Sequence, residues 1–188
     1  MYRQLRLFAL LIAGLLCANA ALADNYSDTV ALFKKSGEAG RYFGSSYGYA
    51  VFPNVGKGGV GIGGAYGRGK VFRGGKAVAN ASLTQLSVGF QLGGQAYSEI
   101  IFFENKTTFD DFLSGNFEFG ADASAVAITA SASAGLNSAG GASAGVGATK
   151  DNAATAGAYH HGVTVFTIAK GGLMYQAAIS GQKFNISK

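Results

Sequence analysis

The chain has 188 residues, of which 30 are glycine, and its formal net charge is +5. A single cysteine cannot form an intrachain disulfide, and glycine without a three-residue period excludes a collagen-like rod. Dense glycine also disfavours a helical bundle, because each interior helical glycine costs about 1 kcal/mol relative to alanine. Apolar residues make up 48% of the chain, so the composition predicts one small domain rich in β-structure.

The amino terminus has the pattern of a cleavable export signal. Arg3 and Arg6 precede an apolar run of about ten residues, which is half the length that a spanning helix needs, and an Ala-Leu-Ala cleavage site follows. We interpret residues 1–23 as a signal peptide and 24–188 as a single mature domain. A retained anchor or a lipidated Cys17 are the alternatives. Cleavage leaves 13 basic against ten acidic residues, and it predicts a periplasmic protein, peripheral to a membrane such as the outer membrane.

Residues 26–44 have helical periodicity that two glycines interrupt, which predicts two short helices. Their apolar stripe runs beside Lys34, Lys35 and Arg41. Such a segment either packs on a sheet or rests on lipid as a basic amphipathic element, and both readings stay open.

From Tyr47 onward the apolar residues recur at every second position, and short runs separated by glycine predict β-strands. Gly59, Gly61 and Gly63 would leave one face of a strand bare, which permits close backbone approach or sharp curling of the sheet. The sequence FQLGGQAY predicts a tight turn between antiparallel strands.

The second half of the chain predicts one helix and further strands. The helix covers residues 107–114, with Thr107 or Thr108 as its cap and Gly115 as its end. Small residues predict a strand at 121–135 and a loop at 137–157, and VTVFTIA with GLMYQAAISG forms a closing hairpin. The expected fold class is α+β and mostly β: a curled antiparallel sheet or partly closed barrel, with short N-terminal helices and one internal helix.

Charge is divided unevenly along the chain. No acid lies between Glu38 and Glu99, an interval that holds six basic residues, whereas residues 99–151 hold seven acids and two lysines. A basic section can attract anionic lipid, each nearby cation contributing about 1 kcal/mol, or can serve solubility alone. An export signal argues against a physiological nucleic-acid partner.

The sequence carries no recognisable catalytic or cofactor motif. Gly59–Gly64 fits G-x-G-x-x-G, but a strand and turn follow it instead of the helix that a dinucleotide site needs. His160 and His161 would point to opposite faces of a strand, so they should not share a metal. We therefore expect a protein that is not an enzyme and uses no metal or cofactor.

The blocks YGYAVFPNVGKGGVGIGGAYGRGKVF, LSVGFQLGGQAYSEIIFF and FEFGADASA resemble the SYLF domain family, also described as the Ysc84-type actin-binding domain. The similarity covers roughly residues 26–188. The resemblance implies binding of membrane lipids, including anionic ones, with actin contact in some members, whereas bacterial members are typically exported. Residues 129–158 depart from the family pattern, since ASASAG stands where a Gly-Pro-Gly-Arg-like turn is usual.

These observations predict a non-enzymatic lipid-binding protein of the bacterial cell envelope whose partners are anionic membrane lipids. Its basic amino-terminal half would contact head groups and its aromatic side chains would enter the acyl boundary. The predicted contact residues are Lys34, Lys35, Arg41, Lys57, Arg68, Lys70, Arg73 and Lys76, with Phe33, Tyr42, Phe43 and Phe72. An integral outer-membrane β-barrel and a structural envelope protein with a protein partner are the alternatives.

Overall fold

A computed structural model of the chain describes residues 25–60, 62–88, 95–115, 117–119, 126–128, 158–170, 179 and 181–188. Four helices are present in these ranges: α1 (25–35), α2 (Gly37–Gly40), α3 (Tyr42–Ser45) and α4 (Lys106–Leu113). The strands are β1 (Gly48–Val60), β2 (Ile62–Arg73), β3 (Lys76–Val88), β4 (Gln95–Phe103), β5 (Val126–Ile128), β6 (Val163–Ala169) and β7 (Gln182–Ser187). The predicted signal peptide and the predicted loop at 137–157 lie outside the described residues.

The amino-terminal segment forms three helices where two were predicted. Ser36 separates α1 from α2, because its hydroxyl donates to the carbonyl of Phe33 and accepts the amide of Ala39, which caps α2. Gly40 lies where two of these helices pass close to each other. A Cβ there would lie 2.6 Å from the carbonyl oxygen of Lys34, so a side chain would force the helices apart.

The first three strands are longer than predicted, with 13, 12 and 13 residues, because glycine does not interrupt them. Glycine instead makes room for large neighbours. A Cβ at Gly69 would lie 2.5 Å from the Phe52 ring, so that ring packs directly on bare backbone. The prediction that Gly59, Gly61 and Gly63 leave one face of a single strand bare was also wrong. β1 ends at Val60, and Gly59 of β1 pairs with Gly63 of β2.

A two-residue turn joins β2 to β3. Arg73 and Lys76 are paired, and the intervening Gly74 and Gly75 have φ values of 56° and 77°. Positive φ at both central residues is the type I′ requirement that glycine meets without strain. The turn therefore holds two cations at the tip of the hairpin.

The seven strands form one sheet in the order β5-β6-β4-β1-β2-β3-β7, antiparallel except for the parallel β5–β6 pair. The carboxy-terminal strand β7 pairs with β3 and forms one edge of the sheet. β6 lies next to β5, which forms the other edge. Most of GLMYQAAISG, the predicted hairpin partner of β6, lies outside the described residues, as does most of the predicted FQLGGQAY turn.

The sheet is strongly curled, as predicted. Strands β4 and β7 are four positions apart, which is about 19 Å in a flat sheet. Yet Gln182 of β7 donates a 3.0 Å hydrogen bond to Glu99 of β4, and the rings of Phe52 and Phe184 lie 5.8 Å apart. These contacts bring β7 over the same face of the sheet as β1 and β4, which we call the inner face.

Each face of the sheet carries its own hydrophobic cluster, because neighbouring residues of a strand point in opposite directions. On β4, Ile101 and Phe103 belong to the inner cluster, which α4 covers with Phe109 and Phe112. Ile100 belongs to the other cluster, on the face that we call the outer face. Helices α1–α3 pack against this outer cluster and leave the neighbouring part of β2 and β3 uncovered.

Helix α4 lies within one residue of its predicted position. Its cap is Asn105, whose side-chain oxygen accepts the amide of Thr108 at 3.0 Å, so the prediction of a threonine cap was wrong. Gly115 ends the helix region with φ of 78°, as predicted.

Candidate functional site

Four consecutive outward positions on β2 carry large side chains. Tyr66, Arg68, Lys70 and Phe72 alternate with residues that face inward, among them Val71 of the inner cluster. The strand thus presents a row of two aromatic rings and two cations on one face. Phe72 packs against the outer cluster, whereas Tyr66 and Arg68 are exposed.

Arg68 lies at the centre of a small polar group on this face. Its Nε donates to the Tyr66 hydroxyl at 3.2 Å. This hydrogen bond, together with electrostatic interactions with Tyr66 and Tyr26, raises the pKa of the Arg68 guanidinium. Asn54 is its cross-strand partner on β1, and the Asn54 side chain accepts a 2.7 Å hydrogen bond from Nζ of Lys170. The fold therefore brings Lys170, from the end of β6, to the same surface.

Lys70 lies beside the N-terminal helix. Its Nζ is 4.9 Å from the centre of the Tyr26 ring, a cation–π contact that joins α1 to β2. Burial raises the pKa of the Tyr26 hydroxyl, with the charge of Arg68 acting in the opposite direction. The positive side chains consequently begin at the margin of the helices and continue over open sheet.

Large apolar side chains are also exposed on this face. The exposed fractions are 83% for Leu86, 51% for Tyr66 and 37% for Val78. Leu86 lies diagonally from Tyr66, since Thr84 pairs with Tyr66 and Leu86 follows two positions later. We call the surface formed by Tyr66, Arg68, Lys70, Val78, Leu86 and Lys170 the outer surface.

Within the described ranges, the cations of the outer surface form no ion pair with an acid. In the described ranges the ion pairs are Lys106–Asp110 on α4 and Lys183–Glu118 at the sheet edge. Burial lowers the pKa of Lys170, which hydrogen-bonds to Asn54 and forms no ion pair with any acid that the structure describes. A surface with unneutralised cations next to exposed apolar side chains can bind an anionic and partly apolar ligand.

The predicted cations of the helices form a separate group on the solvent side of α1–α3. Lys34 lies 5.3 Å from the ring of Phe43, and the Arg41 guanidinium lies 5.1 Å from the ring of Tyr42. Both cations and Lys35 are exposed.

Three other predicted cations lie away from the outer surface. Lys57 shares the inner face with Ala65, and burial lowers the pKa of its ammonium group. Arg73 and Lys76 are exposed at the β2–β3 turn. The structure thus distributes the eight predicted cations over the helices, β2, the turn and the inner face.

Two of the four predicted aromatic contacts are core residues, and the other two pack against the same cluster. Phe33 is 0% and Tyr42 is 6% exposed, and both belong to the outer cluster. Phe43 and Phe72 are partly buried against the same cluster, where each packs on Tyr49. Their rings hold the helices on the sheet. The expectation that Phe33 and Tyr42 enter the acyl boundary was therefore wrong, whereas Phe43 and Phe72 keep part of their surface in water.

Sequence reasoning missed Tyr66, Leu86 and Lys170. The alternation of AYGRGKVF places Tyr66 on the face of Arg68, so a two-residue period was sufficient to find it. Leu86 required knowledge that this face of β3 is uncovered. Lys170 required tertiary structure, because 116 residues separate it from Asn54.

The histidine pair lies in a turn, so the expectation that the two rings point to opposite faces of a strand was wrong. His160 and His161 precede β6, and their ring centres are 4.2 Å apart. Over the described part of the chain, no group of three or more His, Cys, Asp or Glu residues is arranged to hold a metal ion.

None of the helices in the described ranges has both the length and the apolar character needed to cross a membrane.

Comparison with known proteins places the chain in a family. No curated protein sequence matches the chain significantly. The family model described as "Ysc84: Las17-binding protein actin regulator" matches residues 84–187, which is more than half of the chain and runs from β3 to β7. The chain therefore belongs to the Ysc84, or SYLF, family of lipid- and actin-binding domains.

Proposed function

We propose that this protein binds anionic membrane lipids in the bacterial cell envelope, without enzymatic activity, and that the outer surface is its contact site. The observation that carries the proposal is the combination of Arg68 and Lys170, unpaired with any acid in the described ranges, with exposed Leu86 on one face. The family assignment supports a lipid ligand in general.

Contact would combine two physical effects. Arg68 and Lys170 would attract phosphate groups, and the fork of the guanidinium suits a phosphate oxygen pair. Leu86 and Tyr66 would enter the boundary between head groups and acyl chains, where apolar burial adds an attraction that salt does not screen. The helix cations Lys34 and Lys35 would extend the electrostatic attraction.

The envelope location follows from the proposed signal peptide at residues 1–23. Export would separate the mature domain from actin, so lipid is the family ligand that the domain would meet there. The proposed absence of enzymatic activity rests on the missing catalytic motifs described above.

Vesicle co-sedimentation of the mature chain tests the proposal. We expect binding to vesicles that contain phosphatidylglycerol and much weaker binding to pure phosphatidylcholine. The double variant R68Q/K170Q should bind the anionic vesicles about 30-fold more weakly at low salt, because each cation contributes about 1 kcal/mol. The difference should shrink near 1 M salt, where the Debye length is about 3 Å.

The matched control is K106Q/K183Q, which removes the same net charge from two cations that already have acidic partners. It should retain near wild-type affinity. Equal losses in the two double variants would mean that overall charge, and not this surface, attracts the vesicle. Absence of binding to either lipid, with a discrete cross-linked protein partner, would support the structural-protein alternative instead.

A further inference from the structure

The carboxy-terminal strand β7 lies over a carboxyl group in the interior of the curled sheet. Glu99 of β4 is 0% exposed on the inner face, and its Oε2 accepts a 3.0 Å hydrogen bond from Nε2 of Gln182 on β7. Gln182 is also 0% exposed, and the same nitrogen donates to the Tyr97 hydroxyl at 3.4 Å. A single amide group thus joins β7 to β4 at a point that is closed to water.

The side chains that meet Glu99 from the neighbouring strands are neutral. Its cross-strand partner on β1 is Phe52, and its partner on β6 is Thr167. From β7 the contact is the Gln182 carboxamide, whose partner on β3 is Gln85. Glu99 is therefore enclosed by a ring, a hydroxyl and amide groups, none of which brings a compensating charge.

The titratable groups of the surrounding strands do not compensate Glu99 either. Tyr97 lies on the same face of β4, where burial and the charge of Glu99 both raise its pKa, so it stays protonated. Lys57 is the inner-face cation of β1, but its partner on β4 is four residues, or about 13 Å, from Glu99. Lys183 of β7 is exposed and pairs with Glu118.

This environment suits a protonated carboxyl and not a carboxylate. Ionisation would place a charge where hydration is lost, and one hydrogen bond from a neutral amide does not replace that hydration. Oε1 of Glu99 has no hydrogen-bond partner in the part of the chain that the structure describes. Burial accordingly raises the pKa of Glu99 to about 8, against the opposing effect of the Gln182 hydrogen bond. The closed arrangement consequently depends on a proton.

Strand β7 is the element that can uncover Glu99 with the least disruption. It is an edge strand of six residues and is paired with β3, whereas β4 lies between β1 and β6. The segment 117–119 adds a backbone hydrogen bond at the start of β7. Packing of Phe184 on Phe52 and Phe112 opposes release of the strand. Apolar contacts therefore keep β7 in place, and a charge on Glu99 would favour its release.

We propose that Glu99 and Gln182 form a proton-dependent switch: the protonated carboxyl keeps β7 closed over the inner face, and loss of the proton releases β7 and exposes the inner cluster. Once released, the carboxyl is in water and recovers its ordinary pKa of 4.5, so between that pH and about 8 opening releases a proton. In this interval the open fraction should rise about tenfold per pH unit, and above about pH 8 it should level off.

Hydrogen exchange of the mature chain, followed amide by amide and expressed as protection factors, tests the switch. We expect protection of β7 to fall about tenfold per unit from about pH 5 to about pH 8. Protection of the β1–β4 pair should stay higher throughout, because release of β7 leaves that pair intact. E99Q is neutral at every pH and should keep the protection of β7 constant. D111N, which removes an exposed carboxylate, and Y97F should both behave as the wild type does.

Three results would overturn the proposal. The first is constant protection of β7 across this pH range in the wild type, and the second is the same pH dependence in E99Q. The third is equal protection of β7 and the β1–β4 pair, since Glu99 would then ionise only when the whole domain unfolds. The comparison of strands within the wild type requires no variant to fold. These outcomes are independent of vesicle binding, so the switch and the proposed lipid function fail separately.

Discussion

Leu86 offers the sharpest test of whether the outer surface enters a membrane. The substitution L86S removes its apolar side chain without changing charge. Because Leu86 is 83% exposed, the change should alter the free energy of unfolding by no more than about 0.5 kcal/mol. Any larger change in vesicle affinity would then report on contact with lipid.

The expected magnitude follows from the exposed area. Complete burial of a leucine side chain is worth about 1.5–3 kcal/mol, and most of this side chain is still in water. Entry into the acyl boundary should therefore contribute roughly 1.5 kcal/mol, so L86S should weaken vesicle affinity about tenfold. The loss should persist at high salt, unlike that of R68Q/K170Q, because apolar burial is not screened. T84S is the control on the same face.

Fluorescence gives a direct reading, since the chain contains no tryptophan. A single tryptophan introduced as L86W should shift its emission to shorter wavelength on anionic vesicles. The control T107W, on α4, should not shift. If L86S binds vesicles as the wild type does, and L86W emission stays unchanged while the protein sediments with vesicles, the outer surface is not the contact site.

Three further predictions concern stability. Burial raises the pKa of Glu99 from its ordinary 4.5 to about 8, so the folded state keeps a proton that the unfolded chain loses. The free energy of unfolding should then fall by on the order of 5 kcal/mol as pH rises from about 4.5 to 8, and urea titrations should show this dependence reduced in E99Q. G69A should destabilise by about 1–3 kcal/mol through its clash with Phe52, whereas G56A, with open space around its Cβ, should change stability by less than about 1 kcal/mol; equal urea midpoints would contradict this packing. N105A should cost about 1 kcal/mol by removing the cap of α4, and an unchanged thermal midpoint would show that the cap is dispensable.

Local patterns predicted much of the fold. The two-residue period from Tyr47 predicted strands, and a threonine cap with Gly115 as the end predicted α4, because both signals depend on neighbours within a few residues. The strand lengths were underestimated, since the glycines at 67 and 69 were interpreted as interruptions. Their actual role is to accommodate Val55 and Phe52 of the adjacent strand, which no local pattern shows.

The candidate contact residues divide in the same way. Arg68 and Lys70 could be found from charge distribution alone, because the acid-free interval is visible in the sequence. Phe33 and Tyr42 were assigned to lipid on the same basis, but aromatic residues beside cations fit a helix packed on a sheet equally well. Only their burial against Phe102 and Phe166 distinguishes the two roles.

The sequence by itself determined that this chain is rich in β-structure, carries its positive charge in the amino-terminal half and resembles the SYLF family. Tertiary structure decided which side chains remain in contact with water and which distant residues meet. Leu86 is exposed because the helices cover other strands, and Glu99 meets Gln182 because the sheet curls through four strands. Curling depends on the summed twist and packing of all strands, so the residues that it brings together have no signature in the order of the chain.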